Sequence, residues 1–329
     1  MLDFGIVIVS YSTRDLLRTC LRSVYASRGD FALGVCVVDN ASADGSAEMV
    51  TAEFPQARLV VNSRNVGYPT ANNQGLRAFG FAGQPNVQPP TSNLQPPTSN
   101  FQPRISNLQP PTSNLPSFAL LLNPDTELPP DALQKMLDFM VEHPEAGAAG
   151  PRLVLPDGSL DLACRRSLPT PEISFYHLVG LSRLFPRSWR FGRYNLTYLD
   201  PERVAEVGSV VGAFMLVRAT AIVQAGLMDE QFFMYGEDLD WAYRIKAAGW
   251  RIYYNAAVTV RHVKRAASRH SPRAQIEFYR AMDIFYRKHY AAQTSWWLHA
   301  LIAGAIGLRR GIEQLRQASA LKQRSEVER

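Results

Sequence analysis

The sequence predicts an α/β fold: a mostly parallel central sheet flanked by helices, with a helical extension at the C-terminus. Three observations carry this reading. Short β-branched apolar runs alternate with helical patterns along the first 80 residues, as in βαβ units. A second series of apolar runs resumes at Ser117. Polar and acidic residues fall at or just past the ends of several runs, where parallel sheets receive ligands.

Residues 5–10 (GIVIVS) read as a buried parallel strand, because an unbroken β-branched run suits a strand covered on both faces. Ser12 can cap the next helix, where Leu16, Leu17, Cys20, Leu21 and Val24 recur at helical spacing. Residues 34–39 (GVCVVD) form a second buried strand, followed by a turn and a helix to about Phe54. A third strand covers 57–61, and a helix runs from Gly67 to about Phe79.

Residues 83–116 interrupt the pattern with QPPTSN repeats and one QPRISN variant. Proline in every unit excludes a coiled coil. So few apolar groups cannot offset the entropy of ordering, so a disordered or polyproline-like insertion is expected. Beyond it, 117–122 (SFALLL) is a buried strand ending in Asn123-Pro124-Asp125. Pro129 and Pro130 open a helix over 131–142, and 146–150 is a short strand. Residues 151–205 are less regular, and 210–217 are strand-like. A helix is expected over 239–248, closed by Gly249, then strands over 251–254 and 258–260. The tail holds a helix over 272–290 and a second stretch carrying Trp296, Trp297, Leu298, Leu301, Ile302, Ile306 and Leu308.

The net charge of +6 is concentrated in the tail, where residues 261–329 carry 14 Lys/Arg against 5 Asp/Glu. An apolar block beside basic residues fits a helix lying in a membrane interface. Packing on the protein's own core or on a partner subunit reads equally well. Cys20, Cys36 and Cys164 fit neither a disulfide framework nor a zinc site and read as buried thiols of a reducing compartment. No basic-then-apolar leader opens the sequence and no run approaches a membrane span. The expectation is a cytoplasmic protein, with the inner face of the cytoplasmic membrane as the surface the tail would meet.

The candidate site residues each admit two readings. A carboxylate at Asp125 can bind a divalent cation whose other ligands are diphosphate oxygens, or can belong to an ordinary Asx-Pro turn. Asp39 can accept from a ribose or base, or cap a helix. Asn65 and Gly67 follow the third strand, where Gly67 permits close approach to a ligand or a tight turn. Glu237, Asp238 and Asp240 gather at a helix start, where the dipole favours them. Asp240 pairs with Arg244 at i,i+4. Glu237 and Asp238 are expected to lie before the helix, free to take a proton from an attacking hydroxyl. His262 follows a strand, with Lys264, Arg265 and Arg269 around it, as a ligand or a structural ring.

Taken together, IVIVSYSTRDLLRTCLRS, VVDNASADGSAEMV, NSRNVGYPTANNQGLRA, LLLNPDTELPPDAL, GPRLVLPDGSL, VVGAFMLVRA and MDEQFFMYGEDLDWAYRIKAAGWRIYYNAAVTVRH resemble inverting glycosyltransferases of family 2, in the rhamnosyltransferase-like branch. The resemblance covers about residues 4–80 and 117–265 and implies a GT-A, Rossmann-like domain over 1–265, with 266–329 as a basic amphipathic helical tail. It implies that Ser10, Tyr11 and Asp39 line the nucleoside site, and that Asn65 and Gly67 approach from the next loop. Asp125 would carry the metal-binding carboxylate of the DXD motif, with Asn123 at the motif's first position and His262 completing a Mn2+ or Mg2+ site. Asp238 would be the catalytic base with Glu237 as its neighbour, and Gly212, Ala213 and Phe214 part of the sugar-binding floor. The sequence departs from the pattern at Asn123, at Ser10 and Ser12 beside Tyr11, at Val263-Lys264-Arg265, and in the 83–116 insertion.

The implied reaction moves a sugar, rhamnose from dTDP-rhamnose in this branch, from a dTDP- or UDP-sugar to a carbohydrate or lipid-linked acceptor of the cell surface. Another sugar such as galactofuranose, and a decayed sugar-nucleotide-binding module, are the alternatives. SYSTRDLL is not the Gly-rich loop a nucleotidyltransferase needs, and the basic tail lacks a nucleic-acid reader motif, so no nucleic acid partner is expected.

Overall fold

The apolar runs of the sequence become neighbours in one sheet. The computed structural model describes residues 2–83, 115–264 and 272–327; the repeat insertion at 84–114, Arg265 and Arg269 lie outside the described residues. Strands β1 (Phe4–Ser10), β2 (Leu33–Asp39), β3 (Arg58–Val61) and β4 (Phe118–Leu122) are mutually parallel in the order β3-β2-β1-β4. Every residue of β1 and β4 is buried, which explains why both read as unbroken apolar runs. The connecting helices are α1 (Arg14–Tyr25), α2 (Ser46–Glu53) and α3 (Tyr68–Ala78). α3 reaches the sheet through Gly75, where an added Cβ would lie 2.4 Å from Val7 Cγ1.

Past β4 the sheet continues through β8 (Phe214–Arg218), β6 (Ala146–Val154), β9 (Arg251–His262) and β5 (Thr126–Glu127), with β7 (Ala205–Glu206) also on β9. β8 runs antiparallel to both β4 and β6, while β6 and β9 are parallel. The remaining helices are α4 (Ala132–Glu142), α5 (Pro171–Leu178), α6 (Leu181–Leu184), α7 (Ala219–Ala225), α8 (Glu237–Ala247), α9 (Pro272–His289) and α10 (Trp296–Val327).

Several local expectations are corrected. Ser12 does not cap α1: its backbone has φ +52° and its N–H donates to Ser42 Oγ. The first turn is served instead by Asp44, whose Oδ2 accepts from Arg14 N at 2.8 Å. The two strands expected over 251–260 are one, because Asn255 folds an irregularity into β9 that shifts its register against β6. His262 is therefore the last residue of a strand. α8 begins at Glu237, so Glu237 and Asp238 lie inside its first turn, where carboxylates meet unpaired backbone N–H groups.

α9 packs on the body of the protein: Phe285 and Ala281 join Phe232, Leu239 and Tyr243 in a second apolar cluster. Lys288 pairs with Asp229 and Asp240, and His289 bonds Asp240. α10 lies along α9, where Tyr286 and His299 share a 3.1 Å hydrogen bond. Among the described residues no helix is long and apolar enough to cross a membrane.

Candidate functional site

The first turn of α8 sets the site. Gly236, with φ +77°, turns the chain so that Glu237 and Asp238 enter the interior. Asp238 Oδ2 accepts from Arg166 Nη2 at 2.7 Å and from Gly212 N at 3.1 Å, and Oδ1 accepts from Leu239 N at 2.8 Å. Burial opposes the Arg166 charge, but Asp238 outweighs it and holds the guanidinium protonated. Glu237 is differently placed. Its buried Oε2 has no hydrogen-bond partner among the described residues. Burial, and then the charge of Asp238, push its carboxyl up to about 8.

Tyr68 links this turn to the end of β4. Its hydroxyl lies 3.0 Å from Gly212 O and 3.1 Å from Asn123 Oδ1. Burial raises the phenol's pKa, and Glu237, Asp238 and Asp125 raise it further. The hydroxyl thus ties Asn123, two residues before Asp125, to Gly212, whose N–H holds Asp238. Ala213 and Phe214, expected in a sugar floor, are buried in the apolar core. Their neighbour Gly212 supplies the polar backbone, and Ala213 O accepts from Asn123 N.

Asp125 and His262 form the next corner. His262 Nε2 lies 3.3 Å from Asp125 Oδ1, and Nδ1 lies 2.9 Å from Asp161 Oδ2. Lys264 Nζ donates to the other oxygen of Asp161 at 2.7 Å. Burial disfavours the charged ring, yet hydrogen bonds to Asp125 and Asp161 outweigh it and push the imidazole up to about 9. Anchoring through Nδ1 to Asp161 is how an outer carboxylate orients a metal-bound histidine, and a cation at Nε2 would displace the proton that faces Asp125. The oxygen and nitrogen donors suit Mn2+ or Mg2+. Among the described residues no group of three His, Cys, Asp or Glu side chains is arranged around an ion position. Asp125 and His262 are the two donors the described residues bring together at this corner.

The ends of β1 and β2 form the third corner. Asp39 Oδ1 accepts from Ser42 N, while its buried Oδ2 has no partner among the described residues, as a ribose or base acceptor requires. Ser10 is buried beside Thr13, and Tyr11 is exposed. Asn65 Oδ1 accepts from Asn40 Nδ2 and from Gly67 N, which fixes the loop before α3. Gly67 is required there: φ is +89°, and a Cβ would stand 2.8 Å from Phe233 O. The next residue is Tyr68, so this loop leads directly to the hydroxyl that bonds Asn123 and Gly212. The bonding thus runs from Ser10 through Asn40 and Asn65 to Tyr68, and on to Asn123, Gly212 and Asp238.

Arg166, Tyr68, Asp161 and Asn40 are site residues the sequence reading missed. Weak signals existed: paired arginines in an aperiodic stretch, a tyrosine after Gly67, and an aspartate three residues beyond Pro-Asp-Gly.

Residues 3–276 match the model of a family described as glycosyltransferase like family 2. Proteins named N-acetylglucosaminyl-diphospho-decaprenol L-rhamnosyltransferase, from two Mycobacterium tuberculosis strains, are 28% identical over 312 residues, covering 92% of this chain and 90% of theirs. Among solved structures, GalNAc-T7 with UDP, GalNAc and Mn2+ superposes with TM-score 0.54 at 13% identity, over 87% of this chain and 50% of that one. Staphylococcus aureus TarS with UDP gives TM-score 0.50 at 14% identity, over 87% of this chain and 65% of that one. This chain thus spans about half to two thirds of those two structures, and the likeness is one of fold.

Proposed function

This chain belongs to glycosyltransferase family 2, and from that premise we propose that it transfers L-rhamnose from dTDP-rhamnose to a hydroxyl of a lipid-linked saccharide in cell-surface polysaccharide synthesis. The observation that carries the reading is the Tyr68 hydroxyl, bonded to Asn123, two residues before Asp125, and to Gly212, whose N–H holds Asp238, with His262 on Asp125. The name of the mycobacterial relatives supports the sugar and the lipid-linked acceptor.

Asp238 takes the proton of the acceptor hydroxyl, and Arg166 and Gly212 N–H keep its carboxylate aimed while it does so. The freed oxygen attacks the anomeric carbon opposite the departing nucleoside diphosphate, so one displacement inverts that centre. Charge builds on the leaving phosphate as the sugar approaches an oxocarbenium ion. Asp125 and His262 would hold a divalent cation, Mn2+ or Mg2+, which would supply the neutralising charge there. Asp39 receives the nucleoside through its unpartnered Oδ2. Asn65 and Gly67 hold the loop that borders it.

One observation favours a second assignment of the base. Both Asp238 oxygens are engaged, whereas Glu237 has an unpartnered oxygen and a carboxyl near 8. A base of that pKa titrates in the working range of an enzyme. Loss of the rise in rate with pH near 8 in Glu237→Gln, with its maximal rate also lost, would assign the base to Glu237.

The outer face of α10 exposes Trp297, Leu301, Leu308, Ile312 and Leu315. With the basic tail, this face supports peripheral contact with the inner face of the cytoplasmic membrane. The test of the whole reading is a panel of dTDP- and UDP-sugars with Mn2+ or Mg2+ and a short-chain polyprenyl diphosphate-linked N-acetylglucosamine. Metal-dependent release of dTDP from dTDP-rhamnose, with an inverted rhamnoside by NMR, is expected. Turnover of another donor, such as a galactofuranosyl one, would overturn the sugar assignment. No release from any donor would leave a decayed binding module.

A further inference from the structure

We propose that the α5–α6 segment, residues 171–193, is a membrane-docking surface that seats the enzyme on an anionic bilayer and delivers the acceptor headgroup to Asp238. The inference rests on the lipid-linked acceptor proposed above.

α5 has two faces. Ile173 is buried, and His177 stacks on Tyr194 at 4.0 Å. Phe175, Leu178 and Val179, related by i,i+3 and i,i+4, project from the opposite face and are exposed by 49–57%. The turn beyond adds Leu184, Phe185 and Trp189, with Leu184 and Trp189 exposed by 69% and 71%. Six large apolar side chains within 15 residues are thus left to solvent, beyond the scattered exposure an ordinary surface shows.

The same segment carries Arg183, Arg187, Arg190 and Arg193 against a single acid, Glu172. Glu172 lies 3.5 Å from Arg190, which also sits over the Tyr176 ring. Apolar groups interleaved with arginines match a bilayer interface, with headgroup phosphates for the cations and acyl chains for the aromatic rings. A second copy of the chain suits the surface poorly, because a two-fold contact would press one arginine cluster against its equal.

The surface also leads to the chemistry. Tyr194, on which His177 stacks, accepts through its backbone oxygen from the N–H of Ser167, the residue after Arg166, and Arg166 donates to Asp238. Leu168, just before α5, packs on the apolar cluster that seats α9, so the segment and the tail spring from the same part of the molecule.

Co-sedimentation of the full-length protein with phosphatidylcholine vesicles, with and without phosphatidylglycerol, tests the proposal. Two double variants, L184S/W189S and R183E/R187E, change only exposed residues, and a tail variant, L301S/L308S, serves as the comparison. Both α5–α6 variants are expected to partition to anionic vesicles at least about tenfold less than wild type. They should lose transfer to vesicle-borne acceptor in proportion and keep transfer to a water-soluble acceptor. Unchanged partition of both variants would overturn the proposal, as would loss confined to the tail variant, or a wild-type dimer that the variants dissolve. Partition needs no turnover, so intact vesicle binding without sugar transfer counts against the proposed function and not against this surface.

Discussion

Glu237 and Asp240 stand three residues apart at the start of α8, both buried, and their surroundings act on them in opposite directions. Asp240 receives Arg244 Nε at 2.8 Å, Lys288 Nζ at 2.8 Å and His289 Nε2 at 2.7 Å. Burial opposes its charge, but the His289 hydrogen bond and the Arg244 and Lys288 charges hold its carboxyl well below the usual range. Burial and its cationic neighbours lower the His289 pKa, so the ring is neutral and donates through Nε2. Glu237 has no such compensation, and its carboxyl rises. Burial alone therefore does not reveal the use of a carboxylate; its compensation does. Asp240 joins α8 to α9 and is structural. Glu237 retains an unpartnered oxygen at the site, and Asp238 between them is aimed by one arginine. The chain is a glycosyltransferase by family, and on the function proposed above this one helical turn divides its work between chemistry and architecture.

The largest effect should come from the middle residue. Asp238→Asn keeps the shape and removes the proposed base, so kcat is expected to fall by about 10²–10⁴-fold. Nucleotide affinity, measured by calorimetry, should persist, because the proposed nucleoside acceptor Asp39 stands on a separate element, at the end of β2. Wild-type-like turnover would break the division proposed for this turn.

Asp240→Asn should act on stability instead. Removing one partner of a buried ion cluster costs about 3–5 kcal/mol, readable in urea unfolding. The pH dependence follows from the depressed carboxyl. Its folded pKa lies below the unfolded value of about 3.9, so its contribution is complete above that value and is lost as pH falls through the folded pKa. The wild type should therefore show an acid-side loss of stability that the variant lacks.

How much of this was legible in the sequence depends on the reach of each contact. Asp39 and Asp125 could be read because strand ends are local features, and the Asp240–Arg244 pair because i,i+4 spacing is. Arg166 meets Asp238 across 72 residues, His262 meets Asp161 across 101, and Tyr68 meets Gly212 across 144. No periodicity encodes such contacts; they appear only when β8, β9 and the strand-end loops are brought together. The start of α8 was misjudged for a related reason. Glu237 and Asp238 read as lying before the helix, whereas Arg166 reaches Asp238 from a distant loop and Lys288 reaches Asp240 from α9, which makes burial of this turn tolerable.

Asp161 extends the comparison to a carboxylate that acts through another residue. It orients His262 through Nδ1 and is itself held by Lys264. Asp161→Asn should weaken Mn2+-dependent nucleotide binding by about 10–100-fold, with metal-free nucleotide affinity unchanged. Asp125→Ala, which removes a ligand rather than its support, should weaken it further. Equal Mn2+ dependence in wild type and both variants would remove this corner from the site.

The smallest effect gives the sharpest test of the comparison, because its sign is opposite to that at Asp240. Glu237 moves from about 4.3 in the unfolded chain to about 8 in the fold. Folding therefore takes up a proton between those values, and the group subtracts stability as pH rises through that window. Glu237→Gln removes a titrating group from a site where its charge is disfavoured. The variant should melt higher than wild type, more so at pH 8 than at pH 5, by about 2–4 °C for each kcal/mol regained. A gain in stability joined to a loss of transfer is what a destabilised functional group produces. A pH-independent difference in melting would mean that Glu237 is compensated after all, and that its environment does not differ in kind from that of Asp240.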